Sequence, residues 1–72
     1  MNDKIKIINY VRDYRVESNM TQEQLAEKIG VSRQSIISIE NGRYVPSLIL
    51  AMKIAQFYFS RVEELFVIRV KR

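Results

Sequence analysis

Three turn signals between Thr21 and Gly42 limit what this chain can fold into more than any other feature of its sequence. Thr21 and Gln24 have the spacing of a capping box, which predicts that a helix begins after Thr21. Gly30 suits the left-handed cap that ends this helix, and Ser32 suits the N-cap of a second helix that stops before Gly42. Two short helices joined by a turn with a glycine are typical of a helix-turn-helix, predicted here over residues 21–41.

The spacing of apolar residues predicts three further helices. A first amphipathic helix is expected over about residues 3–17, with apolar side chains at Ile5, Ile8, Tyr10, Val11 and Tyr14. After a loop, Ser47 is the expected N-cap of a fourth helix, whose apolar stripe comprises Leu48, Ala51, Ile54, Ala55 and Tyr58. Ser60 and Glu63 have the spacing to cap a short fifth helix that carries Val62, Leu65 and Phe66.

The last residues change period. Ile68 and Val70 alternate with basic residues, which predicts a strand with one apolar face. A lone strand needs a partner, and an otherwise helical domain offers no obvious one. The expected architecture is all-α, with a five-helix domain over residues 1–66 and a short C-terminal β-strand extension over residues 67–72.

The residue types present argue against an enzyme. The 72-residue chain contains no cysteine and no histidine, which excludes disulfides, the usual zinc ligands and the most common general base. The carboxylates that could pair for acid-base chemistry have the positions of solvated helix faces: Glu23, Glu27, Glu63 and Glu64. We therefore expect no catalytic residues, no metal and no cofactor.

The charge balance suits a polyanionic partner. Twelve Lys and Arg against eight Asp and Glu give a formal net charge of +4. The N-terminus lacks the apolar segment of a signal peptide, and no stretch approaches the roughly 20 apolar residues that cross a bilayer. We expect a cytoplasmic protein with no membrane partner and no small-molecule ligand.

The segment from Met20 to Ser47, MTQEQLAEKIGVSRQSIISIENGRYVPS, resembles the helix-turn-helix of the Cro and phage-repressor family, also called the XRE family. The resemblance continues through the fourth helix to Phe66 and is greatest with the small single-domain regulators of that family. It implies a five-helix, lambda-repressor-like domain that binds double-stranded DNA, commonly as a dimer on two half-sites. Phe59 departs from it, because family members have Gly or Asn there, so we expect the fourth helix to run longer or to end differently.

Four outward positions on the second helix of the motif are the predicted base-reading residues: Arg33, Gln34, Ile37 and Ser38. Arg33 can bond bidentately to guanine and Gln34 to adenine. The resemblance assigns base reading to the positions of Arg33, Gln34 and Ser38. Ile37 could cover a thymine methyl group or cap the edge of the core against the fourth helix. The alternative for Arg33 and Gln34 is that they are ordinary solvated residues.

Helix starts and loop ends supply the predicted phosphate contacts: Thr21, Gln22, Ser32, Asn41 and Arg43. The free N–H groups in the first turns after Thr21 and Ser32 carry partial positive charge, which attracts a phosphate oxygen. The resemblance assigns phosphate contacts to Gln22, Asn41 and Arg43. Thr21 and Asn41 could instead only cap helices, and the tyrosine that follows Arg43 could touch phosphate or pack on the fourth helix.

The resemblance also implies an ion pair between Arg15 in the first helix and Glu40 near the end of the recognition helix, at offsets from Gln22 that match the family. Such a pair would fix the orientation of the recognition helix, and loss of one partner would leave an uncompensated charge. The alternative is two surface charges that never meet and contribute almost nothing to stability.

An apolar edge formed by Phe66, Ile68 and Val70 predicts a homodimer. Antiparallel pairing of two C-terminal strands about a two-fold axis would satisfy both strands and bury these side chains. The alternative is a frayed tail whose basic residues touch phosphates.

The leading functional prediction is a sequence-specific transcriptional regulator, a repressor that binds a pseudopalindromic operator as a dimer. The second is an antitoxin or phage-type partner module, for which DNA autoregulation is secondary.

Overall fold

The computed structural model describes residues 5–70, which form five helices and a two-stranded antiparallel sheet. In chain order the elements are β1 (Ile5–Asn9), α1 (Val11–Glu17), α2 (Gln22–Ile29), α3 (Arg33–Glu40), α4 (Leu48–Phe57), α5 (Val62–Leu65) and β2 (Phe66–Val70). Lys71 and Arg72, the end of the predicted strand extension, lie outside the described residues. Within residues 5–70 no helix is long and apolar enough to span a membrane.

The two helices of the motif begin as the sequence predicts. The Gln24 N–H donates to Thr21 Oγ1 at 3.0 Å and the Thr21 N–H donates to Gln24 Oε1 at 2.8 Å, which completes the capping box of α2. At the start of α3 the Ser35 N–H donates to Ser32 Oγ at 3.1 Å. These bonds satisfy backbone donors that a helix start leaves unpaired, so local sequence fixes where both helices begin.

The first helix is shorter than expected, because residues 5–9 form a strand. The prediction of a helix from about residue 3 is therefore wrong for the described residues before Val11. The run Ile5–Asn9 contains three isoleucines, whose β-branched side chains favour a pleated strand, and β2 supplies a hydrogen-bonding partner. α1 begins only after Tyr10, whose N–H donates to the Leu65 carbonyl at 2.8 Å.

The sheet joins the two ends of the described chain. On one face its register pairs Ile5 with Val70, Ile7 with Ile68, and Asn9 with Phe66. The predicted C-terminal strand is thus present through Val70, but the expectation that it lacks a partner in its own domain is wrong. The inner backbone groups of β2 are already paired with β1, so an unpaired tail strand no longer supplies a reason for two copies to associate.

The helices enclose one core of aliphatic side chains. Its buried residues are Val11, Leu25, Ala26, Ile29, Ile36, Ile39, Leu50, Ala51, Ile54, Ala55 and Leu65. The apolar spacing of α2 and α3 predicts the inward positions Leu25, Ala26, Ile29, Ile36 and Ile39, and all of them belong to this core. Val31, in the turn between the two helices, is also predicted to face inward and packs against the core half-buried. The stripe predicted for α4 is wrong at its first residue, because Leu50 is buried whereas Leu48 is 70% exposed. Leu48 lies in the first turn and lines an open groove beside the sheet.

The cap of α5 also differs from expectation. The Glu64 carboxylate accepts the Arg61 N–H at 2.7 Å, so α5 begins after Arg61 and not after Ser60. Ser60 instead belongs to the end of α4, where its N–H donates to the Ala55 carbonyl at 2.9 Å. The predicted capping box lies one residue too early in the chain, because Ser60 with Glu63 and Arg61 with Glu64 have the same three-residue spacing.

Each of the first four helices ends with a backbone bond from an N–H to the carbonyl five residues earlier: Met20 to Arg15, Val31 to Ala26, Arg43 to Ser38, and Ser60 to Ala55. The residue before each donor has a left-handed backbone, and these residues are Asn19, Gly30, Gly42 and Phe59. This is the Schellman arrangement, which satisfies the last carbonyls of a helix. The expectation that Phe59 makes α4 run longer or end differently is therefore wrong, although a phenylalanine takes this conformation at a cost.

One carboxylate in α3 joins the first three helices. Glu40 Oε2 accepts the Arg15 Nε–H at 2.6 Å and Glu40 Oε1 accepts an Arg15 Nη2–H at 3.2 Å, which makes a bidentate ion pair. The Gln22 amide, at the start of α2, donates to the same Oε1 at 3.2 Å. The Arg15 and Glu40 side chains are only 12% and 2% exposed. The hydrogen bond to Glu40 raises the pKa of Arg15 against the weaker, opposing effect of burial, so the guanidinium stays charged.

Replacing Arg15 with methionine leaves the Glu40 carboxylate buried without its cation. We expect Arg15→Met to lower the free energy of unfolding by about 3 kcal/mol, at the low end for a buried pair because Arg15 keeps some contact with solvent. The double variant Arg15→Met/Glu40→Met should recover part of this loss, since no charge then remains buried. Urea unfolding measures both, and a loss below about 0.5 kcal/mol in the single variant would mean that the pair is a surface contact.

Phe59 is a position at which substitution should stabilise the protein. Its φ is +54° and the residue is 98% exposed. A left-handed backbone costs a non-glycine residue roughly 1–2 kcal/mol, and removal of the ring sacrifices almost no burial. We expect Phe59→Asn, which tolerates this conformation, to raise stability by about 0.5–1 kcal/mol and to raise Tm. The control Phe59→Ile should lower Tm, because a β-branched residue fits this conformation worst; a lower Tm for Phe59→Asn would instead show that the ring makes stabilising contacts.

Candidate nucleic-acid interface

The outward face of α3 carries the four predicted base-reading residues. Arg33 and Gln34, in the first turn, are exposed, whereas Ile37 and Ser38, one turn later, are half-buried. The Gln34 amide lies 3.5 Å from Ser38 Oγ, so these two side chains are adjacent. Ile37 is not one of the half-buried side chains that pack on the core within the described residues. Two turns of helix thus present a guanidinium, an amide, a hydroxyl and an aliphatic group, the types that contact base edges in a major groove.

A shallow depression beside the start of α3 brings in two further residues. It is lined by Ser32, Gln34, Ser35, Ser38 and Tyr44. Tyr44 comes from the loop after α3, so its ring lies on this face of the protein. The Ser35 hydroxyl lies 3.0 Å from the Ser32 hydroxyl. Sequence reasoning did not single out Ser35. The only sequence feature that could have indicated it is its position three residues after the N-cap Ser32.

The start of α2 offers donors to an anion. Thr21 Oγ1 is engaged in the capping box, but the backbone N–H groups of Gln22 and Glu23 are in the first turn, where a helix has no internal acceptors for them. The half-buried Gln22 amide uses one N–H on Glu40, which leaves its second N–H for another acceptor. The first turn of α2 therefore combines aligned backbone donors with an amide whose orientation Glu40 holds.

The start and the end of α3 carry the other predicted phosphate contacts. Ser32 is engaged as the N-cap, and the backbone N–H groups of Arg33 and Gln34 follow it in the first turn. Asn41 follows the last helical residue, where its N–H donates to the Ile37 carbonyl at 3.0 Å, and its side chain is exposed. Arg43 is also exposed, and its N–H donates to the Ser38 carbonyl at 2.9 Å. Polar and cationic groups thus flank the outward face of α3 at both of its ends.

The three residues predicted for dimerisation lie apart from this interface, on the sheet. Phe66 is half-buried and packs against the core. Ile68 and Val70 are exposed on the same face of β2.

Asn9 connects the sheet to α3. Its Nδ2 donates to the Ile39 carbonyl at 2.9 Å, in the last turn of α3. Asn9 Oδ1 is buried and has no hydrogen-bond partner among the described residues, which costs stability. Sequence reasoning missed Asn9, because it placed this residue in the first helix and not in a strand that faces α3.

Comparison with known proteins agrees with this geometry. A sequence model of the helix-turn-helix family matches residues 11–65, which run from the start of α1 to the end of α5. An uncharacterised HTH-type transcriptional regulator from Methanocaldococcus jannaschii is 54% identical over 59 residues, which are 82% of this chain and 89% of that protein. The transcriptional repressor RstR of the cryptic phage CTXphi, from Vibrio cholerae, is 38% identical over 55 residues, which are 76% of this chain and 50% of the repressor.

A solved structure shows the same arrangement of helices. The restriction-modification controller protein C.AhdI from Aeromonas hydrophila matches with a TM-score of 0.71 and 30% identity, over 78% of this chain and 85% of that one. The family match covers all five helices. The relatives that are named as transcriptional regulators or repressors align with most of this chain. This chain therefore belongs to the helix-turn-helix family of DNA-binding transcriptional regulators, of the XRE type.

Proposed function

We propose that this regulator is a repressor that binds a pseudopalindromic operator as a homodimer, with α3 of each copy in the major groove. The observation that supports it best is the outward face of α3, where exposed Arg33 and Gln34 stand in the first turn. In a helix-turn-helix the N-terminal residues of the second helix contact base edges while the first helix crosses the backbone. Side chains at this place are therefore the ones that read sequence.

Each residue of this face has a base that suits its chemistry. The Arg33 guanidinium bonds to O6 and N7 of guanine, and the Gln34 amide bonds to N6 and N7 of adenine. The Ser38 hydroxyl bonds to either kind of base edge, and Ile37 covers a thymine methyl group. A good bidentate contact discriminates against a wrong base by about 1–3 kcal/mol, so Arg33 and Gln34 account for most of the sequence preference.

The groups around α3 hold the DNA backbone in register. Phosphate contacts come from the start of α2, the start of α3 and the residues after α3: Thr21, Gln22, Ser32, Asn41 and Arg43. Contacts of this kind position the protein on the duplex without selecting a sequence. Glu40 has an indirect part, because its bond to Gln22 orients the amide that meets the phosphate.

Two further features support a dimeric repressor. Ile68 and Val70 are exposed and Phe66 is half-buried beside them, so association of two copies would remove apolar surface from water.

A repressor needs only to occupy its operator, so binding supplies the whole activity and no residue has a catalytic role. The relative from Vibrio cholerae is itself described as a transcriptional repressor.

Selection of binding sites from random duplex DNA tests this function. We expect an enriched pseudopalindrome whose half-site centres lie about 34 Å apart, or one helical turn, because two α3 helices then meet successive major grooves. A reporter promoter that overlaps this sequence should lose expression when the protein is present. Enrichment of no sequence would contradict specific binding, and increased expression would contradict repression.

Substitutions at the interface should separate base reading from backbone binding. Arg33→Ala and Gln34→Ala should each reduce the preference for operator over scrambled DNA by about 10-fold or more, because each loses contacts to one base pair. Gln22→Ala should instead weaken binding to both DNAs by a similar factor. Titrations at one fixed salt concentration measure both effects. An unchanged preference in both Arg33→Ala and Gln34→Ala would contradict their assignment to bases.

A further inference from the structure

One side of the molecule exposes aliphatic side chains that the core does not bury. They come from the loop before α4, the outer side of α4 and one face of the sheet: Val45, Leu48, Met52, Ile7, Ile68 and Val70. We call this surface the apolar face. An open groove crosses it between α4 and the sheet, with Phe66 and Val62 in its wall.

The apolar face is continuous. Leu48 and Met52 are one turn apart on α4 and therefore lie side by side. Val62 borders both the groove that contains Leu48 and the neighbouring depression that contains Met52. Ile68 lies in the same groove as Leu48, and Val70 follows it on the same face of β2. The surface thus extends from α4 across the groove to the end of the sheet.

The size of the apolar face approaches that of one side of a stable interface. Its residues other than Ile7 are 55–70% exposed. Aliphatic side chains exposed to this extent leave on the order of 80 Å² each in water, or roughly 500 Å² together with the half-buried Ile7. The largest apolar patch on a typical monomer is about 300–600 Å², and each partner of a standard interface contributes about 800 Å². Burial of this face and its rim would therefore form a complex of ordinary size.

We propose that the apolar face is the interface with a second copy of this chain; this inference rests on the proposed function and specifies its dimer. A two-fold axis packs a patch against itself, so the patch must be self-complementary. Aliphatic side chains meet this requirement, and among residues 5–70 Glu63 is the only charged residue in the wall of the groove. Duplex DNA is a polyanion that binds through its phosphates, so it does not cover such a surface.

The position of the apolar face suits a dimer that reads two half-sites. Val45 follows Tyr44, which lines the depression beside α3, so the interface begins where the DNA-facing loop ends. Contacts at this place fix the α3 helices of two copies relative to each other. The interface uses the face of β2 and not its inner edge, because β1 already pairs with that edge in the same chain.

Two exposed positions test the interface without disturbing the core. The double variant Leu48→Gln/Ile68→Thr keeps helix and strand propensity and removes two aliphatic contacts, each of which occurs twice in a two-fold dimer. Val16→Gln is the matched control, because Val16 is 57% exposed on α1, outside the apolar face. Sedimentation equilibrium should give a dimer dissociation constant at least about 100-fold higher for the double variant, with unchanged helical circular dichroism. The Val16→Gln chain should dimerise like the wild type.

Two results would overturn the proposal. One is a double variant that dimerises as tightly as the wild type, and the other is a wild-type chain that stays monomeric at every concentration. With the selected operator, the double variant should bind a single half-site like the wild type and lose the wild-type preference for two half-sites over one. If the wild type selects no DNA sequence, the proposed function fails, and the sedimentation results alone still judge the interface.

Discussion

The orientation of α3 depends on one nearly buried carboxylate. Glu40 accepts two hydrogen bonds from Arg15 in α1 and one from Gln22 in α2, so three helices meet at a single side chain. Arg15 also donates from Nη1 to the Met20 carbonyl at 2.8 Å, which closes the connection between α1 and α2. Aliphatic packing holds helices together but tolerates small rotations, whereas a bidentate ion pair fixes direction. The same carboxylate therefore stabilises the fold and orients the Gln22 amide, which we propose contacts the DNA backbone.

The last turn of α3 is fixed by two separate contacts, and its first turn is the part that we propose reads the DNA. Glu40 anchors this turn through its side chain, and the Ile39 carbonyl accepts the Asn9 amide from the sheet. At the opposite end of α3, Arg33 and Gln34 are exposed. The sheet takes part in both proposed surfaces, because Asn9 holds α3 while Ile68 and Val70 belong to the apolar face that we propose binds a second copy. The proposed DNA-binding and dimer surfaces are in this way connected through a few residues.

The sequence was most informative where structure is local. The caps at Thr21 and Ser32, the left-handed Gly30 and the buried positions of α2 and α3 all depend on neighbours within four residues, and all were predicted. The strand at residues 5–9 was not, because its partner lies about 60 residues away and its isoleucines also fit a helical period. At Phe59 the sequence was misleading for a different reason. A phenylalanine is poorly suited to a left-handed backbone, but the backbone hydrogen bonds that end α4 outweigh this cost.

In the candidate site, too, the local features could be predicted and the long-range ones could not. The outward residues of α3 could be predicted from helix geometry once its start was known, whereas Ser35 and Asn9 required the folded arrangement. The DNA-binding surface is tested most directly by titrating the isotopically labelled protein with its selected operator and measuring the chemical shifts of the backbone amides. We expect the largest changes in the first turns of α2 and α3 and at Asn41 to Tyr44. Changes concentrated on α1 or on the sheet, with those segments unaffected, would contradict this expectation.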